Sequence, residues 1–207
     1  MINYQKKLEE QLNEICSQSR KSLLLHACCA PCSSYVIEYL SEFLDITLLY
    51  FNPNISPEAE YKKRLGEVER LIDEMPLKSP VKLMAGRYDA SEFFDIAKGL
   101  EDLPEGGERC FKCYRLRLEE AAKLGTENGF DFFSTTLSIS PHKNAEKLNL
   151  IGEELSKQYK IGYLYGDFKK RNGYKRSIEL SGIYGLYRQN YCGCVFSKAQ
   201  AEKCGRI

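Results

Sequence analysis

Seven of the nine cysteines in this 207-residue chain fall into three tight groups. The groups are Cys28-Cys29-Ala30-Pro31-Cys32, Cys110-Phe111-Lys112-Cys113 and Cys192-Gly193-Cys194. Short spacings of this kind present several thiolates to one metal with little extra ordering cost. The alternative, that cysteine acts as a small apolar core residue, suits the isolated Cys16 and Cys204. The pattern therefore predicts metal binding by the seven grouped thiols.

The number and type of donor side chains favour an iron–sulfur centre. A structural zinc site takes about four ligands, and with only His26 and His142 in the chain a Cys/His zinc module is disfavoured. A cubane cluster is held by about four thiolates. The remaining thiols could hold a second metal, form a redox pair or line the site. A single CxxC could be a thioredoxin-type dithiol, but three groups favour a metal.

Alternating strand and helix patterns surround these groups. Apolar runs predict strands at 22–27, 45–51, 80–86, 131–140 and 161–168. Amphipathic patterns predict helices at 4–19, 31–43, 57–73 and 144–159, with others opening near Asp89 and at the CxxC. Strands separated by long helices indicate an α/β fold: a mostly parallel sheet of about five strands with helices on both faces. We expect a single domain over 1–207, with an N-terminal helix in 1–20 and a basic, aromatic, cysteine-bearing C-terminal extension over 169–207.

The ends of the predicted strands bring several polar side chains to one edge. In open parallel sheets, ligands bind beyond the carboxyl ends of the strands, where the strand order reverses. Cys28 follows the first strand, Asp89 the third, and Ser140 and His142 the fourth. We therefore expect the seven thiols to converge at this edge. Asp89 is a candidate carboxylate ligand for iron, or a plain helix cap.

This architecture resembles the adenine-nucleotide-hydrolase-like class, which includes the ATP-pyrophosphatases. Those enzymes carry a phosphate-binding loop after the first strand, where this chain reads HACCAPC. Neither GxxxxGK[ST] nor GxGxxG occurs in the sequence. We therefore expect no use of ATP or NAD.

Composition indicates a soluble, unexported protein. The chain is 43% hydrophobic and 29% charged, with a formal net charge of +1. No apolar run approaches the ~18 residues of a membrane helix, and the N-terminus lacks the apolar core of a signal peptide. We expect no membrane association and a cytoplasmic location, where thiols stay reduced.

The near-neutral net charge hides a basic C-terminal part. Residues 151–207 carry 11 Lys and Arg against 5 Asp and Glu. Lys169, Lys170, Arg171, Lys175 and Arg176 lie within eight residues, and tyrosines follow them closely. Basic residues interleaved with aromatic ones suit phosphate contacts and base stacking in RNA. A solvated basic loop is the alternative.

Four segments closely resemble the epoxyqueuosine reductases of the QueH type. They are LLLHACCAPC, ERCFKCYRLRLEEAA, STTLSISPHKN and YRQNYCGCVFS, in that order over about residues 20–198. The resemblance implies an oxidoreductase that converts epoxyqueuosine to queuosine at the wobble position of the tRNA anticodon without cobalamin. It implies a [4Fe–4S] cluster beside a second iron, held from a pool of Cys28, Cys29, Cys32, Cys110, Cys113, Cys192 and Cys194.

Removal of an epoxide oxygen takes two electrons and two protons and releases water. An external ferredoxin- or flavodoxin-like protein is the expected electron donor. Tyr114 and His26 are candidate catalytic proton donors. Candidate substrate- and tRNA-binding residues are Ser140, His142, Lys143, Lys169, Lys170, Arg171, Arg188 and Gln189.

Two other functions fit parts of the sequence. An iron–sulfur-dependent tRNA thiolase would need ATP, which the absent phosphate loop disfavours. A zinc-stabilised, non-enzymatic RNA-binding domain would be colourless and redox-inactive.

Overall fold

The computed structural model describes residues 2–16 and 19–205, without the side chain of Cys16. Residues 17–18 of the first predicted helix, and the expected burial of Cys16 in the core, lie outside the described part.

Five parallel strands form one sheet in the order β3-β2-β1-β4-β5. Every neighbouring pair is parallel, as predicted. The chain runs outward from β1 through β2 to β3 and then returns to β4 on the other side of β1. The order therefore reverses between β1 and β4, where a ligand crevice is expected. The strands are β1 Lys21–His26, β2 Leu44–Tyr50, β3 Lys82–Ala85, β4 Phe132–Thr135 and β5 Gly162–Tyr163.

Helices cover both faces of the sheet. Successive side chains of β1 point to opposite faces, so Leu23 and Leu25 join one core with α1, α2, α3 and α7, whereas Leu24 joins another with α5 and α6. The predicted two-sided α/β architecture is confirmed. The helices are α1 Tyr4–Cys16, α2 Ala30–Leu40, α3 Glu58–Glu74, α4 Ala90–Ala97, α5 Glu108–Glu127, α6 Ala145–Tyr159, α7 Gly173–Ile183 and α8 Val195–Lys203.

The last two strands are shorter than their apolar runs predict. β4 stops at Thr135, whose side chain accepts a hydrogen bond from the backbone N–H of Leu137 and starts a 3-10 helix. Beyond β5, the side chain of Asn149 in α6 hydrogen-bonds both backbone groups of Gly166, at 3.0 and 2.9 Å. A side chain thus replaces a strand partner, and the chain leaves the sheet.

The C-terminal extension contains a helix, α7, that the sequence pattern does not predict. Its buried face is made of Gly173, Ser177, Leu180 and Ser181, so it lacks an apolar stripe. A Cβ atom at Gly173 would lie 2.4 Å from the ring of Tyr35, which shows how closely α7 approaches α2. An ion pair of 2.7 Å between Arg176 and Glu38 also joins the two helices. Within the described residues, no helix is long and apolar enough to cross a membrane.

Candidate metal centre

Three thiols lie at the carboxyl end of β1, beside the reversal point of the sheet. Cys29 is the N-cap of α2, and Pro31 occupies its first turn. The Sγ atoms of Cys28, Cys29 and Cys32 all lie within 4.8 Å of one another, and those of Cys28 and Cys29 are 3.8 Å apart. Thiolates bound to one tetrahedral ion at ~2.3 Å are about 3.8 Å from each other. These three residues, the thiol triad, therefore suit a single metal ion.

Hydrogen bonding within the thiol triad favours the thiolate form of Cys28 over those of Cys29 and Cys32. Hydrogen bonds from Cys29 and Cys32 lower the pKa of Cys28 well below its ordinary value. The same bonds raise the pKa values of Cys29 and Cys32. Protons on these two thiols are what a bound cation would displace.

The other four thiols surround a second, smaller cavity. Cys110 and Cys113 lie one turn apart near the start of α5, and Cys194 is the N-cap of α8. Cys110, Cys113, Cys192 and Cys194, the thiol quartet, line this cavity together. Among the described residues, the triad is the only group of three or more His, Cys, Asp or Glu side chains whose ligand atoms all lie within 4.8 Å of one another. The quartet offers the number of thiols that a cubane cluster takes.

A larger cavity of about 490 Å³ adjoins the thiol triad. Small-molecule sites commonly measure ~300–1,000 Å³, so a modified nucleobase fits this volume. Cys192 and Lys143 line both cavities and join the two groups of thiols. Five residues that the sequence suggested for substrate binding line the larger cavity: Ser140, His142, Lys143, Arg188 and Gln189.

Buried cations stand among the thiols. Arg117 is 1% exposed, and its Nε donates to the carbonyl oxygen of Cys113 at 3.2 Å. Its Nη1 approaches Asn52 Oδ1 at 3.5 Å, and the described residues offer it no carboxylate. Burial acts to lower the pKa of Arg117, yet negative charge on nearby cysteines, Cys113 first, keeps it above its ordinary value. The guanidinium is therefore charged, and it lies within electrostatic range of Cys113, Cys192 and Cys28.

Lys143 and Arg64 hold the segment that carries Cys192. Lys143 Nζ lies 3.1 Å from Cys192 Sγ and 3.1 Å from a carboxylate oxygen of Glu105. Burial acts to lower the pKa of Lys143, but Cys192 and its other neighbours raise it well above its ordinary value. Arg64 Nη1 donates to the Cys192 carbonyl oxygen at 3.1 Å, and its Nε pairs with Glu60 at 2.8 Å.

His26, a candidate proton donor, and Asp89, a candidate metal ligand, both occupy structural positions. His26 is fully buried, with Nδ1 2.9 Å from Thr135 Oγ1 and Nε2 3.1 Å from the Phe51 carbonyl oxygen. Burial lowers the pKa of His26 to about 4, so the ring is neutral at pH 7. Asp89 is exposed and caps α4 by accepting from the backbone N–H of Ser91 at 2.9 Å. Neither His26 nor Asp89 is among the residues described as lining the two cavities.

The residues described as lining the larger cavity do not include Tyr114, Lys169, Lys170 or Arg171. Tyr114 lines the quartet cavity, and burial raises its pKa to about 12. Lys169 pairs with Asp167 at 2.6 Å, and Arg171 pairs with Glu9 at 3.0 Å. Lys170 is exposed.

Sequence reasoning missed the buried Arg64, Asn54 and Arg117. Arg117 had a detectable signal, because it lies four residues after Cys113 and therefore on the same helical face. Arg64 and Asn54 had none, since their place in the cavity depends on how α3 and the β2–α3 loop pack.

Comparison with known proteins identifies the family. Residues 23–200 match the family model described as "Epoxyqueuosine reductase QueH". This chain belongs to the QueH family. A Streptococcus pyogenes serotype M1 relative with that name is 42% identical over 95% of this chain and 78% of its own length. A Staphylococcus epidermidis relative is 41% identical over 95% and 84%, and one from Thermotoga maritima is 35% identical over 85% and 90%.

The turn between the last two thiols generates the first test. Gly193 has a φ of +117°, and a Cβ there would lie 3.0 Å from both Arg64 Nη1 and Ile55 Cγ1. We expect Gly193→Ala to lower the free energy of unfolding by about 1–3 kcal/mol through backbone strain. Displacement of the turn should also speed the alkylation of Cys192 and Cys194 in the metal-free protein. Mass spectrometry measures the rate.

The matched control is Gly185→Ala. Gly185 also has a positive φ (+55°), but apart from its chain neighbours no heavy atom of the described residues lies within 4 Å of the added Cβ. The control variant should leave alkylation of Cys192 and Cys194 at the wild-type rate. Equal alkylation rates in the two variants would contradict the close fit of the turn against Arg64.

Proposed function

We propose that this chain reduces epoxyqueuosine to queuosine in tRNA by means of an iron–sulfur cluster and a neighbouring iron, without cobalamin. The observation that carries the proposal is the arrangement of seven thiols around two adjoining cavities, the larger of which has room for a modified base. Membership of a family whose relatives are named epoxyqueuosine reductase supports the same reaction.

The thiol quartet would hold the cluster, and the thiol triad would hold the second iron. The donor sets support this division, because four spread thiols suit a cubane and three close thiols suit one ion. Three buried donor atoms that have no hydrogen-bond partner in the described part of the chain belong to quartet-cavity residues: Arg109 Nε, Tyr114 OH and Arg117 Nη2. Such donors suit a sulfide-rich, negatively charged group.

When bound, such a centre supplies electrons singly, and a coordinated iron polarises a C–O bond. The protein's own residues provide the rest. Lys143 and Arg117 line the cavities as buried cations and stabilise negative charge that develops on the substrate oxygen. The enclosing walls limit the access of bulk water.

Polar groups at the larger cavity and on the neighbouring surface would hold the tRNA. Ser140, His142, Arg188 and Gln189 line the cavity and would contact the modified nucleotide. Exposed Lys170 and Lys175 flank the start of α7, whose Tyr174 and Ser177 also line the cavity. We assign these two lysines to phosphate contacts, and we propose a cytoplasmic protein that takes electrons from a ferredoxin- or flavodoxin-like donor.

Nucleoside analysis tests the function directly. In a strain that lacks this gene and any other epoxyqueuosine reductase, tRNA should contain epoxyqueuosine in place of queuosine, and expression of the chain should restore queuosine. Liquid chromatography with mass spectrometry measures both nucleosides. Persistent epoxyqueuosine after expression of the metal-loaded chain would contradict the proposal, and so would a colourless zinc protein.

Cysteine substitutions separate the two metal sites. We expect Cys113→Ser to remove acid-labile sulfide and most iron, because it deletes a ligand of the quartet. Cys29→Ser should remove only the iron in excess of sulfide, because it deletes a ligand of the triad. Iron and sulfide assays on anaerobically purified protein measure both losses.

Cys204→Ser serves as the control, because Cys204 lies at the C-terminal end of α8, whereas the quartet's Cys194 caps its N-terminal end. The prediction that Cys204 packs in the core is wrong, because the residue is exposed. Cys204→Ser should retain wild-type iron and sulfide. Loss of sulfide from Cys29→Ser with its retention in Cys113→Ser would reverse the assignment.

The tRNA surface is tested by charge reversal. Lys170→Glu with Lys175→Glu should weaken tRNA binding and reduce the slope of log Kd against log salt by about 1 per lost phosphate contact. Fluorescence anisotropy across a salt series measures this slope. Lys123 is exposed near the C-terminal end of α5. Lys123→Glu is therefore the control and should bind tRNA like the wild type. An unchanged slope in the double variant would remove these lysines from the interface.

A further inference from the structure

Polar atoms without partners concentrate around the quartet cavity. Among the described residues, four buried side-chain atoms without a hydrogen-bond partner belong to residues that line it: Asn54 Oδ1, Arg109 Nε, Tyr114 OH and Arg117 Nη2. A buried polar group left unsatisfied costs about 1–3 kcal/mol. The concentration of three donors marks the cavity as a binding place for a group that accepts hydrogen bonds.

Helix α5 presents ligands and donors on one face. Cys110, Cys113, Tyr114 and Arg117 follow the spacing i, i+3, i+4 and i+7, which places four side chains on the same stripe of a helix. Tyr114 and Arg117 are each 1% exposed. The helix that contributes two thiols of the quartet thus also contributes two enclosed donors, each four residues after a thiol.

We propose that Tyr114 OH and Arg117 Nη2 donate hydrogen bonds to sulfur atoms of the cluster and thereby raise its reduction potential. The inference rests on the proposed cluster. Reduction adds negative charge to the sulfur atoms, so hydrogen bonds and a nearby positive charge stabilise the reduced form more than the oxidised form.

Both side chains are positioning residues for electron transfer. Tyr114 lies at the quartet cavity and is not among the residues described as lining the larger one, so this role replaces the proton donation to substrate that its sequence position suggested. Arg117 lines both cavities and places a buried positive charge beside the thiol quartet.

The test is the cluster potential of the Tyr114→Phe holoenzyme, because phenylalanine keeps the ring and removes only the oxygen. A redox titration followed by electron paramagnetic resonance measures it. We expect the equilibrium constant for one-electron reduction to fall about tenfold, which corresponds to about 59 mV. Tyr163→Phe is the matched control, because Tyr163 is buried in β5 and is not among the residues described as lining the quartet cavity. It should retain the wild-type potential.

A wild-type potential in Tyr114→Phe overturns the inference. Loss of the cluster from Tyr114→Phe, with the triad iron retained and Tyr163→Phe fully loaded, supports it. Arg117→Lys is a second variant that keeps the charge but removes the Nη2 donor, and it should also lower the potential. Wild-type protein without iron and sulfide would instead overturn the proposed metal centre, and this result is distinct from an unchanged potential.

Discussion

The site depends on the pairing of a buried guanidinium with cysteine sulfur. Burying a charge without a counterion costs several kcal/mol, and Arg117 is 1% exposed with no carboxylate among its described partners. The effect of burial on its pKa is opposed first by Cys113, Cys192 and Cys28, one residue from each cysteine group. Arg117 therefore ties α5, the loop before α8 and the end of β1 together electrostatically, and it favours the thiolate forms that metals bind.

The sheet supplies the frame for this pairing. Reversal of the strand order between β1 and β4 opens a crevice at their carboxyl ends, where Cys28 Sγ lies 3.9 Å from Thr136 Oγ1. Nucleotide phosphates occupy such crevices in many α/β proteins, and here thiols line it instead. Arg64 then fixes the third cysteine group over the crevice by donating to the Cys192 carbonyl oxygen.

Features set by local pattern were predictable from the sequence, and those set by tertiary packing were not. Apolar runs and cysteine spacing predicted the parallel sheet, the order of its helices and the grouped thiols. The pattern missed α7, because its buried face uses Gly173, Ser177 and Ser181 in place of apolar side chains. It overextended β5, because Asn149 takes the place of a strand. His26 and Asp89 are ambiguous in sequence, since a buried or capping residue looks the same as one that faces a ligand.

We propose that the thiol quartet and the thiol triad hold two different iron centres in one protein. Mössbauer spectroscopy of ⁵⁷Fe-enriched protein purified without air can distinguish them, because a cubane and an isolated thiolate-bound iron give separate quadrupole doublets. We expect a cubane signal accompanied by one further iron site per chain. A spectrum with a cubane alone, or with isolated iron alone, would contradict this proposal.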